Sequence, residues 1–146
     1  MNKKILWFSL FILGNTSYLH AQGANEMKDH PIKDCPDTPN CVSTKASNPK
    51  AQIRPIPYKG ELAKIEEALK QVLKEMPRHK LEKSNNGFFH IVSSTKLLKF
   101  KDDVHLYYDQ KDQHIHIRSA SRLGYSDMGV NRKRVEKLKK LLKKYL

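Results

Sequence analysis

Carboxylates are scarce in this 146-residue chain: 15 Asp and Glu stand against 28 Lys and Arg, a formal net charge of +13 at pH 7. No pair of carboxylates is placed for general acid–base work; Asp102-Asp103 reads as a turn. Cysteine is almost absent. The two thiols lack the paired short spacing of zinc modules. No serine sits in a strained strand-to-helix turn of the nucleophile-elbow kind. No aromatic stacking motif accompanies the lysines, which removes the main support for nucleic-acid binding. Internal repeats are missing. After residue 13, no apolar run approaches the roughly 20 residues that span a bilayer.

What is present begins with an export signal. Lys3 and Lys4 follow Met1-Asn2, and Ile5 to Leu13 is an apolar core. Gly14-Asn15-Thr16-Ser17 breaks that run, and Leu19-His20-Ala21 offers a cleavage site. A retained anchor is the alternative, but the run is about half the length of a spanning helix. Cleavage after Ala21 removes two lysines and no acid, leaving a charge of +11. The chain is therefore expected to be exported, to the periplasm where the host has an outer membrane and otherwise outside the cell. The 125 remaining residues suit one domain with a modest core.

Export bears on the cysteines. Cys35 and Cys41 enclose a short segment already bent by Pro36 and Pro39, and an oxidising compartment invites a disulfide. A metal site with His30, or a reactive thiol, are the alternatives.

Residues 22–50 are polar and proline-containing, and are expected to form a loop around that disulfide. Residues 51–146 carry the patterned elements. Ile53 to Tyr58 reads as an extended segment that its prolines keep at a sheet edge or outside the sheet. Glu61 to Met76 is a helix: Leu62, Ile65, Leu69, Val72, Leu73 and Met76 share one face, and Pro77 ends it. His79 to Lys83 and Phe88 to Ser93 flank the turn signal Asn85-Asn86-Gly87. Leu97, Leu98 and Phe100 are expected to anchor a crossing segment. Val104 to Tyr108 and His114 to Ser119 are strands, and alternation separates Ile115 and Ile117 from His114, His116 and Arg118. The last helix starts between Asp127 and Asn131, with Val135, Leu138, Leu142 and Tyr145 as its stripe. This order predicts an α+β two-layer domain: an antiparallel sheet of about four strands with two helices on one face.

Two stretches carry a family resemblance. Cys35-Pro36-Asp37-Thr38-Pro39-Asn40-Cys41-Val42-Ser43 resembles the CPxSPNCVSS motif of the bacterial domain-of-unknown-function family 1499. Arg118 to Arg134, with its Ser-Arg-Leu-Gly-Tyr-Ser-Asp core, resembles that family's closing signature, and Asp102-Asp103-Val104 fits between them. Thr38 departs from the usual Ser. The resemblance covers residues 34–142. It supports the domain bounds and implies no activity.

The closing segment holds the candidate site. Arg118, Arg122, Arg132 and Arg134 lie among Ser119, Ser121, Tyr125, Ser126 and Asn131, ahead of a helix N-terminus. Guanidinium groups grip phosphate or carboxylate through paired hydrogen bonds, and free N–H groups favour anions. The competing reading is structural: Asp127 or Ser126 caps the helix, and an arginine pairs with Asp102 or Asp103. The basic last helix could rest on anionic lipid or simply expose a charged face. His105, His114 and His116 could hold a metal, although no acidic partner is evident. A triad of Ser126, Asp127 and His105 or His116 is conceivable. No residue is assigned to catalysis and no cofactor is expected. The reading adopted is a non-catalytic cell-envelope module that binds an anionic small molecule or lipid through residues 118–134. A small hydrolase or transferase acting there on an anionic substrate is the rival. No nucleic acid is expected, and the oligomeric state is left open.

Overall fold

The computed structural model describes residues 30–96 and 98–146. The expected signal peptide, residues 1–21, lies outside them, as does Leu97. The elements are β1 (Cys41–Ser43), β2 (Ile56–Pro57), α1 (Leu62–Glu75), β3 (His79–Asn85), β4 (Phe88–Ser94), β5 (Lys101–Asp109), β6 (His114–Ser121) and α2 (Val130–Tyr145). The sheet is antiparallel in the order β1-β6-β5-β4-β3, and β2 also pairs with β6.

The fold is thus α+β, but with six strands rather than about four. The difference lies in β1 and β2. Both pair with the same strand: β1 opposite residues 118–120 of β6, β2 opposite residues 114–115. The composition around β1 reads as loop because it buries no alternating face of its own, whereas β2 falls within the segment Ile53 to Tyr58 expected to be extended at a sheet edge. β1 is held by pairing and by burial of all three residues. Residues 30–50 are accordingly more than a polar loop, since Ile32, Val42 and Ala46 are buried.

The central elements follow their sequence pattern. In α1, Ile65, Ala68, Leu69 and Val72 are buried, as a 3.6-residue period requires. In β5 and β6, alternate residues Val104, Leu106, Ile115 and Ile117 are almost wholly buried. They share one core with the buried faces of α1 and α2. Asn86 and Gly87 both have positive φ, which matches the twist of a two-residue hairpin loop between β3 and β4. Leu98 and Phe100 do not anchor a crossing segment. They stand exposed in the connection from β4 to β5, at 70% and 49% of their surface. That connection closes on itself instead, the Thr95 N–H donating to the Phe100 carbonyl at 2.9 Å and the Phe100 N–H to Thr95 Oγ1 at 2.9 Å.

Cys35 and Cys41 form a disulfide, so neither is available as ligand or nucleophile. Closing so short a loop is worth about 2 kcal/mol through the unfolded state. Intact mass after alkylation without reductant should show no labelled thiol, and the Cys35→Ser/Cys41→Ser variant should lose about 2 kcal/mol in urea unfolding. Two labelled thiols in the native protein would remove the bridge.

Candidate functional site

β6 delivers the closing segment to one end of the sheet, and α2 begins there. Most of the segment's polar groups turn inward. Arg134, in the second turn of α2, pairs with Asp102 of β5, and both side chains are at least nine-tenths buried. Arg134 Nη1 also donates to Ser119 Oγ at 3.1 Å and to Asn131 Oδ1. Ser119 Oγ donates to Asn131 Oδ1 at 2.6 Å. Asn131 Nδ2 donates to the Asn40 carbonyl at 2.9 Å and to Ser121 Oγ at 3.0 Å. Four elements therefore close on one network: β5, β6, α2 and the disulfide loop. Burying a charge pair stabilises only when its remaining donors and acceptors are satisfied, and here they are.

The other arginines are also engaged. Arg122 makes a two-pronged bond to Asp103, at 2.9 Å and 2.7 Å. Arg132 donates to the carbonyls of Lys50 and Gln52, at 2.6 Å and 3.3 Å, and so braces that turn. Arg118 Nε donates to the Asp34 carbonyl at 3.2 Å. The N-terminus of α2 is filled from within: Asp127 accepts from the N–H groups of Gly129 and Asn131, at 2.9 Å and 2.6 Å. A carboxylate there complements the helix dipole as a bound anion would. Ser126 Oγ accepts from the Met128 N–H, and Tyr125 is exposed. Tyr125, Asp127 and Arg132 line a concavity of about 300 Å³ beside the disulfide loop. Arg118, Arg122, Arg132 and Arg134 do not converge on it.

The face of the sheet away from the core carries the histidines. They do not gather as His105, His114 and His116. His105 faces Arg118 across the β5–β6 ladder, and its ring neighbour is His90 of β4, at 4.8 Å. His90 Nε2 lies 2.6 Å from Asp103 Oδ1, joining the Arg122 pair. His116 instead meets His30, at 4.9 Å between ring centroids, and Asp112, at 2.8 Å. His30 and Asp112 supply the neighbours that sequence spacing could not, because the hairpin and the folded-back chain place them. Ser126 and Asp127 bond within their own loop, so no triad forms with His105 or His116.

The bonds from Arg122 first, and then from His90, hold the Asp103 carboxyl down to about 2. Burial, reinforced by the charges of His90 and Arg118, pushes His105 down to about 4 from 6.5. Its folded-state value is depressed, so the unfolded chain takes up the proton first as pH falls. The contribution of His105 to stability is complete above about pH 6.5 and declines toward pH 4. Asp103 contributes in the same direction only below its ordinary 3.8. Urea midpoints should therefore fall between pH 6.5 and pH 4, and a His105→Gln variant should lose part of that slope. An identical slope in the variant would sink the assignment.

A class follows from this arrangement: a small α+β domain with an open antiparallel sheet, whose most distinctive residues lock a helix, two strands and a disulfide loop together. The chain belongs to the family described as protein of unknown function DUF1499, whose model matches residues 31–142. Comparison with curated proteins and with solved structures returns no match.

Proposed function

We propose that this protein is an exported, non-catalytic cell-envelope module that binds an anionic lipid surface through the sheet end formed by residues 118–134 and the β4–β5 connection. One observation carries the reading. Leu98, Phe100, Leu123, Tyr125, Met128 and Val130 are six of the eight exposed large apolar side chains among the described residues, and all six belong to connections or helix starts at that end. Lys96, Lys99, Lys101 and Lys133 stand exposed among them. Apolar tips inside a basic rim match the boundary between headgroups and acyl chains. Each lysine near an anionic surface contributes about 1 kcal/mol, in a salt-dependent manner.

The reading takes both helices to cover one face of the sheet, which their shared core supports. It favours a surface over a pocketed anion because the arginine side chains are engaged internally. The disulfide fits an oxidising compartment. Among the described residues no helix is long and apolar enough to cross a membrane. A reaction at the same segment has less to work with, since Ser119 and Ser121 are spent in the network.

Co-sedimentation of residues 22–146 with phosphatidylglycerol-containing and with pure phosphatidylcholine vesicles tests this. Binding should require the anionic lipid, weaken with salt, and drop about a hundredfold or more in Leu123→Asp/Met128→Asp, since each buried apolar side chain is worth roughly 1.5 kcal/mol or more. Equal binding to both vesicle types, or an unaffected variant, would refute it.

A further inference from the structure

The opposite end of the sheet holds a second cluster that the lipid reading does not use. Asp109 closes β5 and His116 lies in β6, on the face away from the core. His30 packs edge-on against both His116 and Tyr107, at 4.9 Å and 5.4 Å between ring centroids. One ligand atom from each of His30, Asp109 and His116 lies within 4.8 Å of the other two.

The spare atoms point to what this cluster can hold. His30 Nε2 is buried and has no hydrogen-bond partner. The nearest carboxylate oxygen, Asp109 Oδ2, is 3.9 Å away, too far for a hydrogen bond. Leaving such a group unmade costs stability that a metal ion would restore. The far side of each ligand is already held. His30 Nδ1 sits 3.1 Å from the Ile32 N–H and 3.2 Å from the Ile32 carbonyl, and His116 Nδ1 sits 3.1 Å from Thr44 Oγ1. Asp109 Oδ1 accepts from the Lys111 N–H at 2.9 Å. Metal-binding imidazoles are oriented in this way, by an outer partner on the second ring nitrogen. His116 Nε2 now faces Asp112 Oδ2 at 2.8 Å, so a cation there would replace the bridging proton with Asp112 close by. A concavity of about 830 Å³, lined in part by His30, Tyr107 and Asp109, gives a route in from solvent.

The second histidine group, His90, Asp103 and His105, has the same composition but not the same freedom. Both Asp103 oxygens are taken by Arg122, and one also by His90. A cation would have to displace a guanidinium.

We propose that His30, Asp109 and His116 form a binding site for one divalent transition-metal cation of the zinc or copper(II) type. Two imidazoles and one carboxylate suit that borderline class better than magnesium or calcium. Three protein ligands leave a coordination position facing the concavity.

The test is zinc titration of the metal-stripped protein, prepared without a histidine tag, in competition with a chromophoric chelator. The wild type should take one equivalent and melt at a higher temperature with zinc. His30→Ala and Asp109→Asn should each weaken zinc binding by about tenfold or more, while His90→Ala should not change it. These positions are chosen because His116 is buried, and its loss could unfold the chain. Melting curves without metal check that both variants remain folded. Absence of competition by the wild type would overturn the proposal. So would binding that survives both His30→Ala and Asp109→Asn, or that disappears with His90→Ala.

Discussion

The Arg134–Asp102 pair is the interaction on which the rest of this structure depends. Two charges taken out of water are costly, and removing either partner of such a pair costs about 3–5 kcal/mol. The protein offsets that cost by giving the remaining polar atoms fixed partners. Ser119 and Asn131 lie wholly buried beside the pair. Through Asn131 the pair reaches Asn40, and so the disulfide loop. The start of α2, the end of β6 and the start of β5 are fixed relative to one another by side chains rather than by apolar packing alone. This gives the polar signature of residues 118–134 a physical role without invoking a ligand.

Fixing that corner has a consequence for the surface. With most of the arginines turned inward or paired, the segment shows solvent Leu123, Tyr125, Met128 and Val130, beside Leu98 and Phe100, along with the exposed Arg122 and Ser126. A polar network inside and apolar tips outside suit a surface-docking device better than a pocket for a small anion. The far end of the sheet is built differently. There the polar groups are histidines and carboxylates with an unmade bond, and the chemistry is that of a metal ion rather than of a lipid.

Much of the fold was legible in the sequence. The stripe Ile65, Leu69, Val72 and the alternation at Ile115 and Ile117 report burial directly, and Asn86-Gly87 reports its own turn. The disulfide followed from spacing and compartment. β1 was not legible, and β2 was legible only as an extended edge segment, because their pairing partner β6 lies more than 50 residues later in the chain. Leu98 and Phe100 misled because apolar composition implies burial only where a core has room. At the site, the choice between ligand-binding and structural arginines could not be made locally. Arg134 and Asp102 are 32 residues apart, and the β5–β6 pairing together with the packing of α2 on the sheet brings them together. His30 was masked for the same reason, lying 86 residues from His116.

A double-mutant cycle on Arg134→Met and Asp102→Leu, read by urea unfolding, tests the central claim most directly. Each single variant should lose about 3 kcal/mol or more, because a buried charge is stranded. The double variant should lose less than the sum by about 2 kcal/mol. Single losses below about 1 kcal/mol, or additivity within about 0.5 kcal/mol, would contradict the account.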